Sequence, residues 1–359
     1  MKKKFLATVL ALTMALSLAA CGGGGQTAPA NNDADAAPAG ETDAAPAGET
    51  ADAETNADAA PAEENYHISV VLKTNSSEHW AYVQAGAEAY QKDHPNVQVD
   101  VKGPPSETSY DEQQNMIETD RNNSSYDAYV IAPLNNDMVA NMISGMDKPV
   151  IALDTNIIAP EIVTFVGTGN EAAAKMGAEA AVAMAKERGW ETIECIEIAG
   201  VQGDATNTAR MDGYRAGVNE SGGTFLDNEV QYANAVADQA VTCMEAIIQN
   251  HPEGVAIICA NNDDMAVAAA RTCEGNEAYA NTVFLGFDGA QNACVAILDG
   301  QLTMSICQHP YQMGYLAVES AVKAIQGEEL PEFQDTGTNV IDPDTAQDRL
   351  DELKGYGVW

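Results

Sequence analysis

From residue 66 onward, short aliphatic runs alternate with longer runs in which apolar residues recur every three or four positions. Uninterrupted runs of Val and Ile are typical of strands buried on both faces, and the longer period is typical of amphipathic helices. We predict strands at Ile68–Leu72, Val97–Lys102, Ala128–Ala132, Val150–Asp154, Val163–Gly167, Thr192–Ala199, Thr224–Val230, Val255–Ala260, Thr282–Phe287 and Thr303–Gln308. Predicted helices between them include Ala81–Lys92, Ala172–Arg188, Ala209–Ser221, Ala237–Asn250 and Gly314–Gln326.

Regular alternation of strands and helices predicts parallel sheets covered by helices on both sides. About ten strands in the part of the chain after residue 66 indicate two sheets rather than one. The expected fold class is therefore α/β, with two doubly wound parallel-sheet lobes.

The first residues have the pattern of an export signal. Lys2, Lys3 and Lys4 precede an apolar run from Phe5 to Leu18, which is too short to span a bilayer comfortably. The tail Leu-Ala-Ala-Cys, ending at Cys21, resembles the bacterial lipobox. We therefore expect residues 1–21 to be a lipoprotein signal peptide with cleavage before Cys21 and lipid on its sulfur, which anchors the chain in a membrane.

Residues 22–64 have the composition of a linker. The segment opens with four glycines, contains ten acidic residues and no Lys or Arg, and repeats the octet DAAPAGET in tandem. It lacks the apolar surface that would offset the entropy of ordering. We expect a disordered acidic tether between the membrane and the lobes.

Composition excludes several classes of function. The chain has 54 acidic and 17 basic residues and a formal net charge of −37, so the basic footprint of a nucleic-acid-binding protein is missing. The five His residues do not cluster at metal-ligand spacing, so no metal site and no cofactor are expected. Apart from Cys21, the six cysteines lie in apolar runs and are expected to act mainly as small buried hydrophobes, although their pairing cannot be deduced from sequence.

Polar residues follow almost every predicted strand. In open parallel sheets, ligands bind beyond the carboxyl ends of the strands, so these residues are candidates for a binding site. They include the segment Thr74–Trp80, Asp154, the segment Gly203–Arg210, Asn261–Asp264, Asp288 and Gln308. Some of these residue types are also common helix caps and turn residues, so Asn262 could cap a helix and Asp288 could form a turn.

Six segments in matching order resemble the periplasmic sugar-binding proteins of the ribose- and galactose-binding type. They are TNSSEHWAYVQAGAE at 74–88, PVIALD at 149–154, TNTARMDGY at 206–214, ICANNDDMAVAAA at 258–270, LGFDGAQNA at 285–293 and SICQHPYQMG at 305–314. The resemblance implies a type I periplasmic binding protein, with two lobes joined by a three-strand hinge near Gly167, Gln308 and Thr336. The first lobe would be 66–167 plus 309–335, and the second 168–308 plus 336–359.

The resemblance also implies a ligand site. Its expected residues are Ser77, His79, Trp80, Asp154, Thr206, Arg210, Asn262, Asp288 and Gln308. Ionised Asp side chains accept strong hydrogen bonds from hydroxyls, Arg offers forked donors, Asn and Gln donate and accept, and a Trp ring suits the C–H face of a sugar. Two departures separate the pocket from that of a ribose binder: Thr155 replaces an Arg, and His79-Trp80 replaces a Phe pair.

The resemblance therefore implies a solute-binding lipoprotein of an ABC importer and not an enzyme. It would capture a monosaccharide or related polyol and deliver it to the importer's permease, as a monomer at the extracytoplasmic face of the cell membrane. Because residues 101–118 resemble the branch that binds autoinducer-2, a binder of such a signalling molecule is the alternative.

Overall fold

The computed structural model describes residues 64–358, whose strands form two sheets. The predicted signal peptide, Cys21 and all but the last residue of the predicted linker lie outside the described residues. The first sheet contains β1 (Tyr66–Val71), β2 (Val97–Lys102), β3 (Ala128–Ile131), β4 (Val150–Asp154), β5 (Ile162–Gly167) and β12 (Phe333–Asp335). The second contains β6 (Glu194–Ala199), β7 (Thr224–Phe225), β8 (Gln231–Tyr232), β9 (Ile257–Ala260), β10 (Val283–Asp288), β11 (Met304–Cys307) and β13 (Asn339–Ile341).

Helices connect successive strands. They are α1 (Glu78–Asp93), α2 (Tyr110–Arg121), α3 (Asn136–Ile143), α4 (Asn170–Glu187), α5 (Ala205–Glu220), α6 (Ala237–Asn250), α7 (Asp263–Thr272), α8 (Gln291–Leu298), α9 (Pro310–Ile325) and α10 (Ala346–Gly355). We call the first sheet with α1, α2, α3 and α9 the first lobe, and the second sheet with the remaining helices the second lobe.

Both sheets have the doubly wound order. The first runs β12-β5-β4-β3-β1-β2 with every pair parallel, and the second runs β13-β11-β10-β9-β6-β7, with β8 also paired to β6. Only β13 is antiparallel to its neighbour, β11, in the described sheets. In each sheet the winding reverses beside its first strand, β1 or β6, and this is the position at which such folds form ligand crevices. The predicted fold class is confirmed.

Buried aliphatic strands and close helix packing hold each lobe together. Strand β4 is buried throughout, and so are β3, β9 and β11, as expected for strands covered on both faces. In the first lobe α1 and α9 approach closely because each presents a glycine. A Cβ on Gly86 would collide with the Tyr311 carbonyl oxygen, and one on Gly314 with the Val83 carbonyl oxygen.

Three connections carry the chain between the lobes. It passes from β5 into α4, from β11 into α9, and from β12 into β13. At the first and third connections the strands are tied together, because the Thr336 amide donates to the Gly167 carbonyl oxygen at 3.0 Å. The two lobes are therefore joined by adjacent segments that are far apart in sequence.

One predicted strand is wrong and two short strands were not predicted. Thr224–Val230 is not a single strand, because a 3-10 turn over Asp227–Glu229 separates β7 from β8. The polar residues of that turn are not buried, so no buried ladder forms there. Strands β12 and β13 are three residues each and partly exposed, and they lack the apolar run that identifies the other strands.

The six cysteines of the described residues are free, and five of them are buried, as expected. Cys195 and Cys259 lie on neighbouring strands with their sulfur atoms 3.4 Å apart. Burial alone raises the pKa of Cys273 to about 12, so its thiol stays neutral at physiological pH. These thiols therefore act as small core side chains.

Glu197 is an unpaired carboxyl group in the middle of β6. Its side chain is fully buried and neither oxygen has a hydrogen-bond partner. Desolvation by burial raises the pKa of Glu197 to about 8, although the charge of Arg215 opposes the shift. The group is therefore protonated in the folded chain at neutral pH and ionised in the unfolded chain.

We expect Glu197→Gln to stabilise the protein in a pH-dependent manner. Because the folded-state pKa is raised, the wild type loses stability as the pH rises from the unfolded pKa near 4.5 to the folded pKa of about 8. The free energy of unfolding of the variant should therefore exceed that of the wild type by roughly 3 kcal/mol at pH 7, with little difference at pH 4. Urea titrations across this range test the prediction, and a difference that does not change with pH would contradict it.

Candidate functional site

A small polar cavity lies between the carboxyl ends of the strands of both lobes. Residues from the loop before α1, from the ends of β4 and β10, and from the starts of α5 and α7 surround it. Its lining residues are Lys73, Ser77, His79, Trp80, Glu107, Asp154, Val201, Asp204, Thr206, Arg210, Ala235, Asn261, Asn262 and Asp288. Eight of the nine predicted site residues are in this set, and only Gln308 is not.

Two carboxylates end the central strands of the opposite sheets. Asp154 is the last residue of β4, and Asp288 is the last residue of β10. Both have positive φ angles, +61° and +131°, which non-glycine residues rarely adopt. Backbone strain of this kind costs about 1–3 kcal/mol per residue and accumulates at functional sites, where a side chain must point in one required direction.

His79 lies between these two carboxylates. Its Nε2 is 3.0 Å from Asp154 Oδ2 in its own lobe, and its Nδ1 is 3.6 Å from Asp288 Oδ1 in the other. Burial lowers the pKa of His79, but the hydrogen bond to Asp154 and the charges of Asp288 and Asp154 outweigh burial and raise it. The side chain of His79 therefore lies between the two lobes, and its surroundings favour the protonated form.

The two carboxyl groups respond to this arrangement in opposite directions. Burial raises the pKa of Asp154, but the hydrogen bond and charge of His79 outweigh it and bring the pKa down to about 2. The pKa of Asp288 is raised, because burial exceeds the opposing effects of His79 and Arg210. Asp154 is thus the firmly ionised group of the pair.

Arg210 is held rigidly at the side of the cavity in the second lobe. Its Nε donates to Asn170 Oδ1 at 2.8 Å, and its Nη1 donates to the Asn261 carbonyl oxygen at 2.6 Å. The guanidinium carbon lies 3.6 Å from the centroid of the Phe287 ring, and Nη1 is 3.9 Å from Asp288 Oδ1. This fixed fork is suited to binding adjacent oxygen atoms.

Asn262 has both of the roles that the sequence left open. Its side-chain oxygen accepts from the Met265 amide at 3.0 Å as the N-cap of α7, and the residue also lines the cavity. Gln308 holds Asp288 in place rather than lining the cavity, because its Nε2 donates to Asp288 Oδ1 at 2.7 Å. Ser77 occupies the N-cap position of α1 without a capping hydrogen bond.

Trp80 contributes to the core as well as to the cavity. The side chain is 3% exposed and packs in the apolar core of the first lobe. Its indole Nε1 donates to Glu107 Oε1 at 3.2 Å, and its ring meets the His79 ring edge-on, with centroids 5.0 Å apart. Trp80 therefore both packs in the core and lines the cavity.

Contacts from other charged and polar residues connect the lobes across the cavity. Lys73 Nζ, beyond the end of β1, lies 2.6 Å from Asp204 Oδ2 at the start of α5, and both side chains are buried. Thr155 and Thr206 share a hydrogen bond of 2.7 Å. Burial raises the pKa of Glu107, and the charge of Lys73 opposes the shift.

Sequence reasoning did not select Lys73, Glu107 or Asp204 as site residues. Lys73 directly follows the predicted first strand, and Asp204 belongs to the polar segment Gly203–Arg210. Both positions beyond a strand end therefore indicated a possible place at the site. Glu107 belongs to a loop of mixed composition after β2, and only the folded chain brings it to Trp80.

Charge and burial distinguish this cavity from larger depressions. Its volume is about 40 Å³, which is room for about three water molecules. A groove of about 660 Å³ beside α7 has no buried charged residue in its lining. Among residues 64–358, no group of three or more His, Cys, Asp and Glu side chains could hold a metal ion, and no helix is long and apolar enough to cross a membrane.

Named proteins align with much of this chain. The ribose import binding protein of Escherichia coli (strain K12) is 28% identical over 204 residues, covering 56% of this chain and 66% of that protein, slightly less than two-thirds of its length. The D-allose-binding periplasmic protein of the same organism is 28% identical over 286 residues, covering 74% of this chain and 88% of that protein.

A solved structure and a family model agree with these alignments. The crystal structure of an ABC transporter solute binding protein from Mycobacterium smegmatis, with bound glycerol, has a TM-score of 0.69 and 26% identity, covering 79% of this chain and 96% of that one. The model of the periplasmic binding protein domain matches residues 68–329, which include Asp154 and Asp288. The chain therefore belongs to the periplasmic binding protein family.

Proposed function

We propose that the chain is a solute-binding lipoprotein of an ABC importer that captures a monosaccharide or related polyol between its two lobes. The observation that carries the proposal is the convergence of Asp154, His79, Arg210 and Asp288 from both sheets onto one cavity. The names of the relatives, which refer to ribose and D-allose, support a sugar as the ligand. They favour it over a signalling molecule such as autoinducer-2.

The balance of charge also supports a neutral ligand. Lys73 pairs with Asp204, His79 with Asp154, and Arg210 lies beside Asp288. Burial raises the pKa of Glu107, the fourth carboxyl group, which favours its neutral form. Because most of these charges already have partners, an ionic ligand would leave one of them unpaired, whereas hydroxyl groups can both donate and accept. A polyhydroxylated molecule is therefore the best match for the cavity.

Binding requires the lobes to separate and close again. His79, Asp154 and Arg210 are buried between the lobes, so the lobes must open to admit a ligand to them. We propose that residues 66–167 plus 309–335 move against 168–308 plus 336–359, with the hinge near Gly167, Gln308 and Thr336. Closure around the sugar would create the surface that the importer's permease recognises. The protein would function as a monomer.

Titration calorimetry of ligand-free protein against pentoses, hexoses and polyols tests the proposal. We expect one of them to bind, and Arg210→Lys to weaken its affinity by about 10–100-fold, because the forked donor pair is lost. Arg215→Lys is the matched control, since Arg215 lies on the same helix but outside the cavity lining, where it pairs with Asp212 and Asp227. Absence of heat with every sugar and polyol would contradict the proposed function.

Asp288→Gly should lower the affinity for the sugar without lowering the thermal stability of the protein. Glycine accepts the positive φ without strain, and the substitution removes a partly buried carboxyl group whose charge raises the pKa of Asp263. We expect sugar affinity to fall at least about 100-fold while the melting temperature stays unchanged or rises by a few degrees. A melting temperature lowered by about 5 °C or more would show that Asp288 is primarily a structural residue.

We further propose that Cys21 is lipidated and that the protein is anchored at the extracytoplasmic face of the membrane. The sequence Leu-Ala-Ala-Cys after an apolar run supports this proposal. Full-length protein should incorporate radiolabelled fatty acid in cells and fractionate with membranes, and Cys21→Ala should abolish both. Cys243→Ala, at the one partly exposed cysteine of the described residues, is the control that should keep the label. Labelling that persists in Cys21→Ala would exclude this site.

A further inference from the structure

The first turn of α1 contacts the second lobe outside the cavity. Glu78 Oε1 accepts a hydrogen bond from the Gln291 amide at 2.5 Å, and its Oε2 accepts one from the Asn292 amide at 3.4 Å. These amides belong to the first two residues of α8, which packs in the second lobe. Glu78 does not line the cavity, so a ligand there would not replace these contacts.

The N-terminus of α8 lacks a capping side chain from its own lobe, and the Glu78 carboxylate supplies one. The first amides of a helix have no partner within the helix, and a side chain at the N-cap commonly supplies one. The N-cap residue of α8 is Ala290, which has no side-chain oxygen and makes no capping hydrogen bond. A carboxylate also interacts favourably with the positive end of the helix dipole. Glu78 from the opposite lobe therefore caps α8.

A second contact lies one turn further along the same face of α1. Tyr82 is 1% exposed and belongs to a cluster made mostly of second-lobe residues, including Cys294 and Leu353. Its ring meets that of Tyr356, just after α10, edge-on at a centroid distance of 6.2 Å. Polar and apolar contacts thus extend side by side from α1 to the second lobe.

We propose that Glu78 and Tyr82, with the start of α8 and Tyr356, form a clasp that holds the lobes closed independently of the ligand. Glu78 is then a positioning residue, which sets the ratio of closed to open protein without touching the sugar. This inference rests on the proposed function only in that closure is taken to enclose a sugar. Opening the lobes breaks the two hydrogen bonds and exposes Tyr82 to water.

The clasp should control affinity through the closed population. When only the closed form holds its ligand tightly, the apparent affinity scales with the closed fraction, and a weaker clasp shortens the lifetime of the complex. Removing the charge in Glu78→Gln should lower the ratio of closed to open protein by about 3–10-fold, and Glu78→Ala should lower it further. Because ligands enter the open form, the association rate should change little.

The experiment measures closure directly in the full-length chain. Fluorophores introduced by non-canonical amino acids at the exposed positions of Lys92, in the first lobe, and Glu245, in the second, report lobe separation by energy transfer. Without ligand, Glu78→Gln should show a lower high-transfer population than the wild type. Glu88→Gln is the matched control, because Glu88 lies on the same helix but is exposed and accepts only from Gln84.

Stopped-flow measurements with D-ribose and D-allose as probes complete the test. We expect Glu78→Gln to raise the dissociation rate of a bound sugar by about 3–10-fold and to keep the association rate within about twofold. Unchanged energy transfer in both Glu78 variants would overturn the clasp. If neither sugar binds, the ligand-free energy transfer still decides whether the clasp exists, and the calorimetric panel of sugars and polyols decides the proposed function.

Discussion

The site depends on bringing two carboxyl groups from opposite sheets into one small cavity. Asp154 and Asp288 would repel each other there if both were ionised without counter-charges. His79 lies between them, and Arg210 lies beside Asp288, so the closed arrangement contains its own counter-charges. This electrostatic compensation is what allows the sheets to approach, and the strained backbone at both aspartates aims their side chains at the same point.

The compensation also explains why neighbouring residues are so constrained. Arg210 is fixed by Asn170, Asn261 and the Phe287 ring, and Gln308 is fixed against Asp288. A cation that must neutralise a buried acid has little freedom to move, because each ångström of displacement in a low-dielectric site is costly. Residues outside the cavity lining, such as Asn170 and Gln308, therefore fix the orientation of Arg210 and Asp288 through hydrogen bonds.

The strands that could be predicted are those whose signal is local. Val97–Lys102 and Val150–Asp154 agree residue for residue with β2 and β4. In the first, Val alternates with polar residues, and in the second an apolar run ends at Asp154. The polar residues beyond strand ends identified most of the cavity for the same reason, since the carboxyl ends of parallel strands share one edge.

The features that could not be predicted depend on contacts distant in sequence. Glu107 joins the site through the Trp80 indole, and Lys73 through Asp204 of the other lobe, so neither has a local pattern. Strands β12 and β13 exist only because longer strands offer them an edge for pairing. Thr224–Val230 has the composition of a strand, but its polar centre forms a turn instead.

The order of strands in the first sheet has a consequence for the time course of folding. Its edge strand, β12, is formed by residues 333–335, more than 160 residues after β5, so the sheet is incomplete until this distant segment is available. Contacts of such long sequence separation slow folding, because a large loop must close before they form. The first sheet is therefore completed only after strands β6 to β11 of the second sheet are available.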